Sequence, residues 1–191
     1  AVLQVEVGEA YFPDTANAEF LVSTIPKTFV NLDINIDNAQ SNHATSVGHN
    51  FYGNSSSLTP GVNDIGIYSA NAYLEEALKN TGSNFGVPSD SERRVVNHSW
   101  VGQFYSFNNG ENDILNTSKA LKRLDWLIDH DEIIQVVGTN NGSASRPLLA
   151  SAFNVITVGK TDANHANTSV PIDNFYSSAR PAIHLVAPQS T

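Results

Sequence analysis

The chain is expected to be an α/β protein, doubly wound about a mostly parallel central sheet, on three observations. Short runs rich in Val and Ile recur at 2–8, 64–69, 95–99, 133–137, 154–159 and 182–188. Between several of them stand stretches of helical periodicity, at 43–52, 71–79 and 116–129. No segment repeats another. Near-continuous apolar strands are those buried on both faces, which calls for helices on each side of a parallel sheet. In that architecture ligands bind outside the carboxyl ends of the strands, so the polar residues that end each apolar run are the candidates for function.

The first run carries Val2, Leu3, Val5 and Val7, with Glu6 as the odd residue. A carboxylate in an apolar strand is costly unless a protonated imidazole or a backbone donor partners it. Asn17-Ala18-Glu19-Phe20 reads as a polar turn, and residues 21–42 as a loop holding one short strand at 29–33. A helix is expected from His43 to about Tyr52, with Gly53 as its stop. Small residues after His43 let that helix start pack closely while the imidazole stays at its exposed end.

A turn at 58–62 leads into a strand at 64–69, and the stretch 71–79 places Ala72, Leu74, Ala77 and Leu78 on one helical face. A polar loop over 80–94, a strand at 95–99 and a long loop to Asn112 follow. The clearest helix is 116–129, with Asn116 or Thr117 as its cap and Ala120, Leu121, Leu124, Leu127 and Ile128 on one face. It hands the chain to a strand at 133–137 that runs into the polar loop Gly138-Thr139-Asn140-Asn141-Gly142.

A length of 191 residues with 40% apolar content suits one well-buried domain spanning 1–191, and no linker-like shift in composition divides it. The net charge of -9, with basic residues scattered apart from Arg93-Arg94, argues against a nucleic-acid or anionic-membrane surface. Absence of Cys excludes disulfides, thiol catalysis and Cys-ligated zinc. No apolar run approaches the length of a membrane span. The chain lacks Met at position 1, begins one residue before a core strand and ends three residues after Pro188. It is therefore expected to be a piece of a longer or processed protein, without signal peptide or propeptide and truncated at its C-terminus.

Taken in order, four stretches resemble the subtilisin-like serine proteases. They are the strand ending at Glu6, the helix start Ser41-Asn42-His43-Ala44-Thr45-Ser46-Val47-Gly48, the strand edge Asn97-His98-Ser99-Trp100-Val101-Gly102, and the loop at Asn140. In subtilases a strand-end acid, a histidine at a helix start, a substrate-binding strand edge, an Asn-bearing oxyanion loop and a nucleophilic serine follow one another in that order. The resemblance implies a three-layer sandwich and a secreted endopeptidase acting on peptide or protein substrates. His43 is then the general base. Asn140, with Asn141 as its neighbour, supplies the oxyanion amide, and Ser99, Trp100, Val101 and Gly102 border the extended substrate.

Glu6 and Asp33 compete for the acid. Glu6 stands 37 residues before His43 at a strand end, whereas Asp33 stands only 10 before it in a polar stretch, so spacing and context favour Glu6. The family's residue there is Asp; a Glu is chemically able, since some hydrolases use either acid. Trp100 is expected either to narrow the pocket or to sit in the core. No serine is assigned as nucleophile: Ser190 falls too early after the Ala187-Pro188 strand end, and the serine is expected beyond Thr191, leaving this chain alone inactive.

No cofactor is called for. Calcium, common in subtilases, is not assignable from loops as generic as Asp162-Ala163-Asn164. Oligomeric state stays open. Glu6, Ala44 and Thr139 depart from the family pattern and motivate a competing expectation, a catalytically inactive subtilisin-like domain kept for binding or scaffolding.

Overall fold

A computed structural model describes residues 1–21, 26–34, 38–80, 86–89, 92–101, 111–139, 148–160 and 185–187, with the backbone alone at 111–117, 160, 186 and 187. Its contacts divide the chain into two compact units, Ala1–Trp100 and Val101–Thr191.

In the first unit four parallel strands, β1 (Val2–Glu6), β2 (Thr28–Asn31), β3 (Asp64–Ser69) and β4 (Val95–His98), stand side by side in the order β2-β3-β1-β4. Glu6 lies opposite Ser69 on one side of β1, and Val5 opposite His98 on the other. The chain leaves β1 for β2, returns to β3 beside β1, then crosses to β4 on β1's opposite flank. That reversal makes the carboxyl ends of β1 and β4 the place where such a sheet opens a crevice.

Every residue of β1 is buried. Its even-numbered face packs into a cluster of Val2, Ile65, Ile67, Tyr11, Phe12, Phe20 and Tyr52, the last from α2 (Asn42–Tyr52) and Phe20 from α1 (Ala18–Leu21). On the face of Val5, the ring of Tyr73 meets Tyr68 and His98, with centroids 6.0 and 4.8 Å apart. Both faces are thus covered, which is why β1 is apolar at both parities except at Gln4 and Glu6.

Helix α2 begins where the chemistry allows: Ser41 is its N-cap, its Oγ accepting from the Ala44 N–H at 3.3 Å. It ends at Tyr52 with Gly53 as cap, as the sequence suggests. The cap is not a left-handed glycine, since φ is -56°. Glycine is needed there for space, because a Cβ would lie 2.4 Å from the His49 carbonyl oxygen and 2.9 Å from Glu19 Oε2. Glu19 accepts from the backbone N–H and hydroxyl groups of Ser55 and Ser56, and these bonds hold its carboxyl down to about 2.

The stretch 71–79 is a short helix, α3 (Ala70–Ala72), continued by a wide π turn over Tyr73–Ala77 rather than one regular helix. The Leu78 N–H bonds the Tyr73 carbonyl at 2.9 Å, and the wider turn carries Tyr73, Ala77 and Leu78 into the interior together.

In the second unit, α4 (Glu111–Asp131) precedes β5 (Ile134–Gly138), and β6 (Ile156–Lys160) pairs in parallel with β5 and with β7 (Leu185–Ala187). Ala120, Leu124 and Leu127 are buried along α4. The helix starts at Glu111, not at a cap on Asn116 or Thr117. Its buried stripe at Ala120, Leu124 and Leu127 anchors a long helix past residues of modest propensity. Asp125 ties α4 to the segment before β6 by accepting from the Phe153 and Asn154 N–H groups, each at 2.7 Å.

The protein is therefore an α/β protein with parallel strands. No helix among the described residues is long and apolar enough to cross a membrane.

Gly48 faces inward from α2, and a Cβ there would lie 2.6 Å from the Tyr52 hydroxyl oxygen and 3.0 Å from Phe20 Cζ. Both neighbours are held in the core and cannot swing away. Gly48→Ala should lower unfolding stability by about 1–3 kcal/mol through overpacking, although alanine gains about 1 kcal/mol of helix propensity. Denaturant midpoints of the two proteins check it; a more stable Gly48→Ala variant contradicts this packing.

Candidate active site

Glu6 ends β1 with its carboxylate turned toward the first turn of α2. His43 is the second residue of that helix, so the Ser41 cap and the strand end together bring imidazole and carboxylate to one point. The Glu6 Oε2 to His43 Nδ1 distance is 2.8 Å. The two side chains differ sharply in environment: that of Glu6 is 2% exposed and that of His43 64%. A buried carboxylate thus holds one ring nitrogen while the rest of the imidazole faces solvent.

Burial raises Glu6 above its ordinary carboxylate value, and the hydrogen bond from Gln4, the charge of His43 and the hydrogen bond with His43 oppose that rise. Gln4 Nε2 donates to Glu6 Oε1 at 2.8 Å and to the Ala44 carbonyl at 2.9 Å. The Tyr52 hydroxyl donates to Gln4 Oε1 at 2.6 Å. Burial raises the Tyr52 hydroxyl well above the usual phenol range, with Glu6's charge adding to the effect. Tyr52 therefore stays protonated and keeps its proton for Gln4.

An ionised acid on Nδ1 selects the tautomer with the proton on that nitrogen, leaving a lone pair on Nε2. The arrangement can accept a proton from a hydroxyl placed at the exposed edge and stabilise the resulting imidazolium. Among the described residues no serine is hydrogen-bonded to the ring, and no three His, Asp or Glu side chains gather in a way that could hold a metal ion.

Asp33, the other candidate acid, is not the ring's partner. It is buried and accepts from the Ser69 hydroxyl at 2.8 Å, next to the α3 cap that Ser69 provides. Ser99 extends the sheet, its N–H bonding the Val5 carbonyl at 3.1 Å, and its Oγ accepts from Asn97 Nδ2 at 2.6 Å. Trp100 is buried and its indole N–H donates to His98 Nδ1 at 3.1 Å. Val101 is at the surface. Gly102 and Asn140 lie outside the described residues.

Sequence reasoning singled out Glu6 but passed over Gln4 and Tyr52. The signal for Gln4 was present: it stands two residues before Glu6, hence on the same face of the strand, and is a second polar residue in an apolar run. Tyr52 carried no such signal. It reads as the last apolar residue of a helix, and only the packing of α2 on β1 brings its hydroxyl to Gln4.

A scan of protein-family models finds no match to this chain, and no curated protein matches it.

The raised value at Glu6 makes a prediction about stability. Between its ordinary value of 4.5 and the raised one, the folded protein keeps a proton that the unfolded chain has released. Stability attributable to Glu6 therefore falls as pH rises through that window. Glu6→Gln removes the buried charge, so at neutral pH the variant should be at least as stable as the parent, with the difference closing below about pH 4. Denaturant midpoints at pH 4 and pH 7.5 measure this, and a variant less stable only at neutral pH contradicts it.

Proposed function

We propose that this chain is the acid- and histidine-bearing part of a subtilisin-like serine endopeptidase, a secreted enzyme hydrolysing peptide bonds in peptide or protein substrates. One observation carries the reading: a buried carboxylate at the carboxyl end of a central parallel strand lies 2.8 Å from Nδ1 of a solvent-facing histidine at a helix start. The motif order acid, histidine, strand edge and Asn loop supports it, as does the α/β fold with parallel strands. The finer architecture that goes with the proposal is a doubly wound, three-layer sandwich.

In this mechanism Glu6 orients the imidazole, and His43 Nε2 takes the proton of a serine hydroxyl and returns it to the leaving amine. The serine belongs to a segment following Thr191, and Asn140 donates to the developing oxyanion. Residues 99–102 take the substrate as an added strand. No metal or organic cofactor enters the reaction.

The test is turnover of a peptide substrate by the complete protein. Glu6→Gln should keep the fold and cut kcat on the order of 10⁴-fold, because the amide favours the wrong tautomer. Glu6→Asp should retain part of the activity, and Asp33→Asn should stay within a few-fold of the parent. A large loss confined to Asp33→Asn refutes the role of Glu6. A complete protein that turns over no peptide and takes no label from a serine-directed inhibitor refutes the enzyme, and leaves the binding-domain alternative.

A further inference from the structure

Gln4 sits on the central strand with its amide wholly buried, and each of its polar atoms is committed. Its orientation follows from chemistry. Nε2 faces the Glu6 carboxylate and the Ala44 carbonyl, both acceptors, so the NH2 group must be on that side. Oε1 must then accept, and the Tyr52 hydroxyl is its donor.

One amide therefore bonds both the acid and the backbone of the residue that follows the base. The separation of Glu6 and His43 is set through Gln4 as well as by their own contact. Gln4 itself cannot rotate without breaking the bond from Tyr52, whose ring is packed against Phe20 and Phe29 at centroid distances of 5.5 and 5.8 Å.

From this geometry we infer that Gln4, oriented by Tyr52, is a positioning residue for the Glu6–His43 pair: it holds the carboxylate in place and ties β1 to the start of α2. The inference rests on the peptidase reading for its effect on turnover, but the network it names stands on its own contacts. An apolar residue at position 4 would leave Glu6 Oε1 and the Tyr52 hydroxyl without partners and would remove the bond that joins β1 to the Ala44 carbonyl. A longer acid such as Glu has more freedom to swing than Asp, and the second carboxylate oxygen is where that freedom is removed. The groups facing Glu6 are Gln4 on its own strand and His43 and Tyr52 on α2; Ser69, opposite on β3, is committed to Asp33.

The experiment uses the complete protein, as parent, Gln4→Leu and Tyr52→Phe, with folding checked by circular dichroism. Two readouts are taken: kcat and KM for a peptide across pH, and the titration of the Glu6 carboxyl carbon by NMR, which needs no turnover. A hydrogen bond to a charged group is worth enough to lower kcat about 10- to 100-fold on its loss, with KM nearly unchanged. In Gln4→Leu the Glu6 carboxyl should titrate at higher pH and the acid limb of the rate profile should follow it. Tyr52→Phe, a milder change that keeps the core filled, should move both in the same direction and by less.

A merely structural role would lower thermal stability without moving either pH readout, and that result overturns the inference even in an active enzyme. If the parent has no peptidase activity yet the Glu6 titration moves in both variants, the positioning network holds and the peptidase reading fails.

Discussion

A carboxylate inside the central strand of a parallel sheet has to be solvated by the protein, because no water surrounds it, and this requirement organises the first unit. Glu6 meets it with two donors, an amide from its own strand and an imidazole from the next long helix. Each donor imposes further conditions. His43 can reach the acid only if α2 starts at the strand's carboxyl end, which the Ser41 cap secures. Gln4 can donate only if its carbonyl oxygen is itself satisfied, which brings Tyr52 into the core. Tyr52 in turn needs the space that Gly48 leaves. Helix start, helix end and strand are thereby linked through one buried charge.

Such a charge is a poor source of stability. Burial alone opposes ionisation, and an apolar residue of similar volume commonly serves the fold as well or better. Its retention, coupled to a histidine whose ring faces solvent, is the arrangement expected where a carboxylate must be ionised to orient a base. Asp33 offers the contrast. It is also buried, but it accepts from the Ser69 hydroxyl beside a helix cap, and that bond fastens β3 to the loop after β2.

The topology places this pair rather than merely accommodating it. The strand order reverses at β1, and in a parallel sheet ligands bind at the carboxyl ends of the strands where such a reversal occurs. The opposite face of the same strands is closed by aromatic packing, where Tyr73 and Trp100 enclose His98. That histidine accepts from an indole in the interior, and Trp100 is consumed there. The chain thus carries one histidine that faces solvent beside a buried carboxylate and another that is enclosed in the interior.

Much of this was legible in the residues. Period and composition located β3 at 64–69, the helix ending before Gly53 and the apolar stripe of α4, because each depends on local pattern and on burial of one face. The pairing of Glu6 with His43 was legible as well, since an acid in an apolar strand has few acceptable partners and motif order pointed to one. What local pattern could not supply were the π turn at Tyr73–Ala77, the start of α4 at Glu111 and the Tyr52–Gln4 contact. The π turn carries Tyr73, Ala77 and Leu78 into the interior together, and the Tyr52–Gln4 contact spans 48 residues of sequence. Strand and helix types follow from neighbours along the chain. Which hydroxyl meets which amide follows from how a helix lies on a sheet, and that is settled only when the whole core packs.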